Sequence, residues 1–588
     1  MWRFLLLLAA TPALAQTTGL VPLNDLGPGT YQGFQGGLYP GGQNFPPVVH
    51  FRAAMARAAE VVPRDAAGAP DPQGFIGMIA VGMSNTTHEF GAFERNQDRN
   101  GNRSARLVLM DTALGGQTAA IISDPTAPYW TTMMQRLTAM GLTAAQVQVA
   151  WLKEADAQPP NDFPGHATTL KDELALVVQN LHDKFPNLKL CYLSSRIYGG
   201  YAPQGSLNPE PQAYESGFSA KWLIQAQIGG DPALSYGQAG PIRAPLLLWG
   251  PYLWADGTNP RSDGLTWLIT DLEGDHTHPS AAGEEKVAGL LASFFGSDAT
   301  AAAWWRARTD VGLVALDALK DAHVSAANPN TNFGSAPSLL EQGGASPIVP
   351  YLGFSVAGVA RPVAAAKLSL RVAEGGGGRV ATVADTSWSE GTITFANAPA
   401  IGATLANHPG ASRDGTFAAA VTGNVNADAD GALALALTTT GGLVSYHSKE
   451  DSAAPRLVLA VSCAASPDSD GDGHADPCDC APQDGSAFAV PSEVANLRWS
   501  DASTLAWSAQ GGTAYEVMSG PLASVGVFRS DPEDRCVALV QASSAADITP
   551  LPAPGQGRYF LVRGVNSCGE SRWETSSQGR DRVSEICR

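Results

Sequence analysis

The sequence predicts a multi-domain protein, an α/β domain on a parallel sheet followed by two β-sandwich domains. Three observations predict it. Between Gly74 and Phe295, five short runs that are apolar throughout alternate with helix-like stretches. Strands without a polar face need cover on both sides, as in a parallel sheet between helix layers. From about residue 320 to 462 the chain becomes rich in Ala, Gly, Val and Thr, with short alternating runs that suit an antiparallel sandwich. From about residue 491 short strands return. At 588 residues the chain is too long for one core, so two to four domains are expected.

Residues 1–15, MWRFLLLLAATPALA, combine Arg3, a short apolar run and the small-x-small pattern Ala13-Leu14-Ala15. This reads as a signal peptide cleaved before Gln16, and hence as secretion. The expected divisions are then 16–315 for the α/β domain, 316–463 for the first sandwich, 464–490 for an Asp/Cys-rich linker and 491–588 for the last domain. Within the α/β domain the strand candidates are 75–81, 106–110, 147–152, 188–193 and 245–250. The helix candidates are 131–140, 169–185, 213–228 and 280–295, the last with Ser280 as N-cap. Ligands of such sheets bind at the carboxyl ends of the strands.

A net charge of −18 disfavours nucleic acid as a partner. No later run of about eighteen apolar residues is present, so membrane insertion is not expected. Six of the seven cysteines crowd the tail (Cys463, Cys478, Cys480, Cys536, Cys568, Cys587), an even set that argues for disulfides in an exported chain. Cys191, in the apolar run LKLCYL, reads as a buried small hydrophobe.

The first strand runs into Gly82-Met83-Ser84-Asn85. A serine just after a central strand presents its hydroxyl at the sheet's top edge, but it needs a base to become a nucleophile; a bland helix cap is the competing reading. The base is offered by Asp275-His276-Thr277-His278-Pro279, where a carboxylate three residues before an imidazole can orient it and stabilise its cation. His278 fits the spacing better than His276. His88 reads as a surface histidine that has the option of lining the pocket.

These blocks resemble the SGNH (GDSL-like) hydrolase superfamily, in a GxSN form near carbohydrate acetylesterases, over roughly 74–296. The resemblance implies a flavodoxin-like three-layer α/β fold and ester hydrolysis through an acyl-enzyme, with Ser84, His278 and Asp275 catalytic. The oxyanion donors would be the amides of Ser84 and of Gly115 or Gly116, from ALGGQTAA. The family's third block usually supplies an Asn. Here that strand ends Lys153-Glu154-Ala155-Asp156, which leaves Lys153 as a cationic donor, Asn161 reaching back, or Lys153 and Glu154 as a plain ion pair at the rim. Asn85, Arg196, Tyr198 and Glu215 are candidate substrate contacts, the last three with Tyr201, Glu210 and Tyr214 in or beside one loop. The Gly-rich segment GTYQGFQGGLYPGGQNFPP folds over the same face or acts as a loop staple.

The ordered motifs NTNFG, PYLGF, WSEGTITFANAP and the closing SKEDSAAPRLVL resemble a DNRLRE-type carbohydrate-binding module over roughly 318–462, with Trp388 and Glu390 as possible glycan contacts. In the linker, Asp468, Asp470, Asp472, His474, Asp476 and Asp479 fall on a twelve-residue loop with Gly473, a hard-oxygen pattern suited to structural Ca²⁺. With Cys478 and Cys480 it resembles a thrombospondin type 3 repeat. Residues 491–588 look like a fibronectin type III domain. The expected function is a secreted serine esterase removing acyl, in the first place acetyl, groups from a polysaccharide or other acylated glycan, with no cofactor for catalysis. The alternative is a non-catalytic surface or adhesion protein with a degenerate SGNH fold.

Overall fold

A computed structural model describes residues 17–238, 240–306, 310–451, 453–522, 535–547, 552–571 and 573. The expected signal peptide and Cys587 lie outside the described residues. The first domain runs α1 (Val48–Ala59), β1 (Ile76–Gly82), α2 (Ser84–Gln97), β2 (Leu107–Met110), α3 (Pro128–Ala139) and β3 (Val147–Lys153). It continues with α4 (Gly165–Lys184), β4 (Leu190–Leu193), α5 (Gln212–Ile228), β5 (Leu246–Trp249), α6 (Ala281–Ser297) and α7 (Ala299–Trp305).

The five strands form one parallel sheet in the order β2-β1-β3-β4-β5. Every residue of β1, β3, β4 and β5 is buried, which requires cover on both faces. Helices α2 and α6 pack together, as do α4 and α5. Phe90 of α2 stacks on Trp151 of β3, and Phe93 meets Phe295 of α6. The strand order reverses beside β1, and in open parallel sheets that switch point opens a crevice at the strands' carboxyl ends. There β1 turns sharply into α2. A Cβ on Gly82 would stand 2.2 Å from the Lys153 carbonyl oxygen and 2.3 Å from Thr86 Oγ1, so only glycine lets β1 pass so close to β3 before Ser84 opens the helix.

The first sandwich has antiparallel sheets of six and five strands between Val311 and Ser462. Its first strand, Val311–Asp317, pairs with its last, Arg456–Ser462; the sandwich therefore starts a few residues ahead of 316. Leu352, Phe354, Leu368, Phe417 and Tyr446 fill its core. The last domain sets a three-stranded sheet and a four-stranded sheet around Trp507, Tyr515, Val517 and Val562. Cys463 bonds Cys478 and Cys480 bonds Cys568, while Cys536 is also in a disulfide. Cys191 is free and buried. Among the described residues no helix is long and apolar enough to cross a membrane.

The first sandwich is seated on the α/β domain by buried charges. Lys367 Nζ lies 3.0 Å from Glu94 of α2 and 2.7 Å from Asp98, which caps that helix. Arg371 reaches Glu284 of α6 at 3.1 Å, and Arg136 of α3 donates to the Gly410 carbonyl at 2.8 Å.

Candidate active site

Ser84 is the first residue of α2, at the carboxyl end of β1. The loop 271–280 returns to the same edge just before α6. It is pinned by the Glu273 amide donating to the His278 carbonyl at 2.8 Å and the Ser280 amide to the Asp271 carbonyl at 2.9 Å. Its tip turns through His276, at φ 54°. Ser280 caps α6.

This loop brings His278, not His276, to the serine. Ser84 Oγ lies 2.8 Å from His278 Nε2, and His278 Nδ1 lies 2.5 Å from Asp275 Oδ2. With the Nδ1 proton donated to the carboxylate, the Nε2 lone pair faces the serine hydroxyl. Asp275 Oδ1 also accepts the amides of Thr277 at 2.9 Å and His278 at 3.0 Å. Burial alone would raise the Asp275 carboxyl, but these amides and the imidazole outweigh it and hold the group at about 2. Asp275 is therefore a fixed anion behind the imidazole.

Two neighbours are placed differently from the sequence expectation. Asn85, expected at the substrate, is buried and donates Nδ2 to the Thr277 carbonyl at 3.0 Å; it ties the start of α2 to the histidine loop. His88, expected on the surface, is buried with its ring 5.4 Å from that of His278. Burial lowers its imidazole to about 4 against the opposing pull of Asp414, so it is a neutral neighbour.

The oxyanion candidates separate in the same way. The Ser84 amide belongs to the first turn of α2, where N–H groups have no intrahelical acceptor. Gly115 faces the serine, since a Cβ built on it would stand 3.8 Å from Ser84 Cβ. Its amide donates to Ser412 Oγ of the first sandwich at 3.0 Å. Gly116 is exposed at φ 75°, with open space where a side chain would be.

Lys153 pairs with Glu89 and not with Glu154. Its ammonium is buried between both carboxylate oxygens of Glu89, which the next turn of α2 provides. A buried ammonium needs such a counter-ion. Glu154 instead accepts the Ala155 amide at 2.8 Å, and burial pushes its carboxyl well up. Asn161 is exposed. Nothing in the sequence pointed to Glu89 as the partner of Lys153 or to Ser412 beside Gly115.

The candidate substrate contacts of the 196–215 segment are buried, although its middle, at 203–205, is exposed. Arg196, Tyr198 and Glu215 are 6%, 2% and 0% exposed. Glu215 accepts the Tyr31 hydroxyl at 2.6 Å and bonds His166 Nε2 at 2.7 Å. Tyr198 meets Tyr201 edge-on and leans on Trp254. Glu210 accepts the Gly199 and Tyr214 amides and Trp254 Nε1. The Gly-rich segment covers this face and staples it, with Tyr31 and Phe34 both packed on Phe163. The acids of the loop are thus bonded to backbone amides and to side chains of neighbouring segments.

The aspartate linker gathers three of its six expected ligands. Carboxylate oxygens of Asp468, Asp470 and Asp472 lie within 4.8 Å of one another. Asp470 Oδ2 and Asp472 Oδ2 are buried without a hydrogen-bond partner. The other three turn elsewhere. The His474 ring stacks on Phe488 at 3.7 Å, Asp476 accepts the Ser469 amide and hydroxyl, and Asp479 accepts the Ala481 amide.

Residues 313–461 match carbohydrate-binding module family 96. In that module Trp388 is 8% exposed, with Lys320 Nζ 4.3 Å over its ring, and Glu390 pairs with Lys449 at 3.1 Å. No curated protein matches the chain. Among solved structures, similarity is found to a Bacillus subtilis protein at 12% identity and TM-score 0.22, covering 38% of this chain and 56% of that one. An extracellular lipase from Streptomyces rimosus matches at 12% identity and TM-score 0.20, covering 37% and 99%. The periplasmic domain of a lipopolysaccharide acetyltransferase of Salmonella ser. Paratyphi A matches at 11% identity and TM-score 0.23, covering 42% and 94%.

Proposed function

We propose that the chain is an exported serine esterase of the SGNH type that removes acyl groups, in the first place acetyl, from a glycan through an acyl-enzyme. The observation that carries this reading is the continuous contact from Ser84 Oγ to His278 to Asp275. In the proposed cycle His278 Nε2 takes the Ser84 proton as Oγ attacks the acyl carbonyl. The Ser84 amide meets the developing oxyanion. Collapse expels the sugar oxygen, which takes the proton back from His278, and leaves the acyl on Ser84. Water, deprotonated by the same imidazole, then releases the acid. Asp275 remains ionised throughout and stabilises the imidazolium.

The carbohydrate substrate class rests on the family-96 match over residues 313–461. Export rests on the N-terminal pattern and suits the tail's disulfides. The Asp468, Asp470 and Asp472 carboxylates are proposed to hold a structural Ca²⁺, which would stiffen the linker between the sandwiches. The last domain, with sheets of three and four strands, is proposed as fibronectin type III-like.

A second reading, a non-catalytic surface protein on the same fold, draws on one observation: Lys153, which ends the strand where the family's third block usually supplies an Asn, is tied to Glu89. Hydrolysis of p-nitrophenyl acetate separates the two. The enzyme reading expects turnover that falls at least about 10³-fold in Ser84→Ala. Absence of turnover on this and on acetylated glycans favours the second reading.

A further inference from the structure

The loop 412–415 joins strand Ile401–Ala411 of one sandwich sheet to strand Thr416–Ala420 of the other. It lies within the family-96 segment, yet it is seated on the α/β domain beside Ser84. Arg413 pairs with Glu273 of the histidine loop at 2.7 Å. The Asp414 carbonyl accepts Arg95 Nη1 of α2 at 3.2 Å, and its carboxylate holds Arg371 at 2.8 Å. The fit is close: a Cβ on Gly415 would stand 2.7 Å from Thr87 Cγ2, and one on Gly91 would stand 3.1 Å from the Asp414 carbonyl oxygen. Ser412 is thus held in place from both sides.

Its hydroxyl is bonded to the glycine that faces Ser84. The Gly115 amide donates to Ser412 Oγ at 3.0 Å, and the Cβ position of Gly115 is 3.3 Å from Ser412 Oγ and 3.8 Å from Ser84 Cβ. A serine hydroxyl accepts through two lone pairs and still has a proton to give. An amide bonded to its oxygen polarises that O–H and makes it a better donor. With Lys153 committed to Glu89, no other described side chain of β3 serves this role.

We propose that Ser412 is a catalytic residue supplied by the sandwich. Its hydroxyl, backed by the Gly115 amide, would donate to the oxyanion formed on Ser84. The proposal rests on the esterase reading and deepens it: the module completes the active site.

The test is steady-state hydrolysis of p-nitrophenyl acetate by the full chain carrying Ser412→Ala or Ser412→Thr. Loss of one oxyanion donor predicts a kcat lower by about 10²- to 10³-fold in Ser412→Ala, with KM changed by less than about threefold. Ser412→Thr, which keeps the hydroxyl, should recover kcat to within about tenfold of the parent. A Ser412→Ala kcat equal to or above the parent would show the hydroxyl to be a plug and overturn the proposal. So would a loss that Ser412→Thr does not recover, since that pattern marks a packing defect. If the parent is inactive and Ser84 is inert, the esterase reading fails and takes this proposal with it. An active parent with an undiminished Ser412→Ala removes only the role of Ser412.

Discussion

The edge around Ser84 and the aspartate loop at 468–472 both gather polar side chains, but they are assembled in opposite ways. The edge draws Ser84, Gly115, His278 and Ser412 from four separate stretches of chain, and each is held by a hydrogen bond to a residue from elsewhere in the fold or from its own loop. The aspartate loop draws its three carboxylates from five consecutive residues, held by their own turn: Asp468 accepts the Gly471 and Gly473 amides at 2.7 and 2.9 Å. The first arrangement depends on the whole fold, the second on one turn. Changes far from the serine should therefore disturb the edge, whereas only changes within the turn should disturb the loop.

The largest stability effect is expected at the Lys153–Glu89 pair. Glu89→Gln leaves a buried ammonium without its counter-ion and should cost about 3–5 kcal/mol in urea unfolding, while the double change Glu89→Leu with Lys153→Met should recover much of that. A loss below about 1 kcal/mol would mean that the pair does not hold the edge.

A smaller, pH-dependent effect is expected from Asp111, under the start of α2. Its Oδ1 accepts the Ala113 amide and the Thr87 hydroxyl. Burial pushes its carboxyl up to about 7 against the pull of Arg136, with Glu94 adding to the rise. A folded-state value above the unfolded one means that the fold favours the protonated acid. Stability from this group is then complete below about pH 4 and is lost as pH rises towards 7. Asp111→Asn should flatten that slope by an amount on the order of 1–3 kcal/mol. An unchanged slope would show that the group titrates normally.

The smallest effect belongs to the loop. Added Ca²⁺ should raise the Tm of the parent by a few degrees, and Asp470→Asn should abolish the rise. A rise that survives the substitution would place the ion elsewhere.

This contrast also explains what was legible in the sequence. The parallel strands were legible because full burial leaves them apolar end to end, as in IGMIAVG of β1. Ser84 and His278 stood out because a serine closes a strand and an Asp-x-x-His-Pro run precedes a helix. Arg196, Tyr198 and Glu215 misled because a charged aromatic loop at a sheet edge looks exposed until the N-terminal segment covers it through Tyr31. Alternating aspartates showed that a turn was built from carboxylates, but not that Asp476 would spend its oxygens on Ser469. Ser412 carried no signal at all, because its role comes from how one domain sits on another.

The central claim is that the hydroxyl of residue 84 is activated where it stands. The most direct measurement treats the full chain with a fluorophosphonate probe and locates the adduct by peptide mass spectrometry. The account predicts one adduct, on Ser84, lost in Ser84→Ala and strongly slowed in His278→Ala. Labelling that persists in Ser84→Ala, or a parent that takes up no probe, would contradict it.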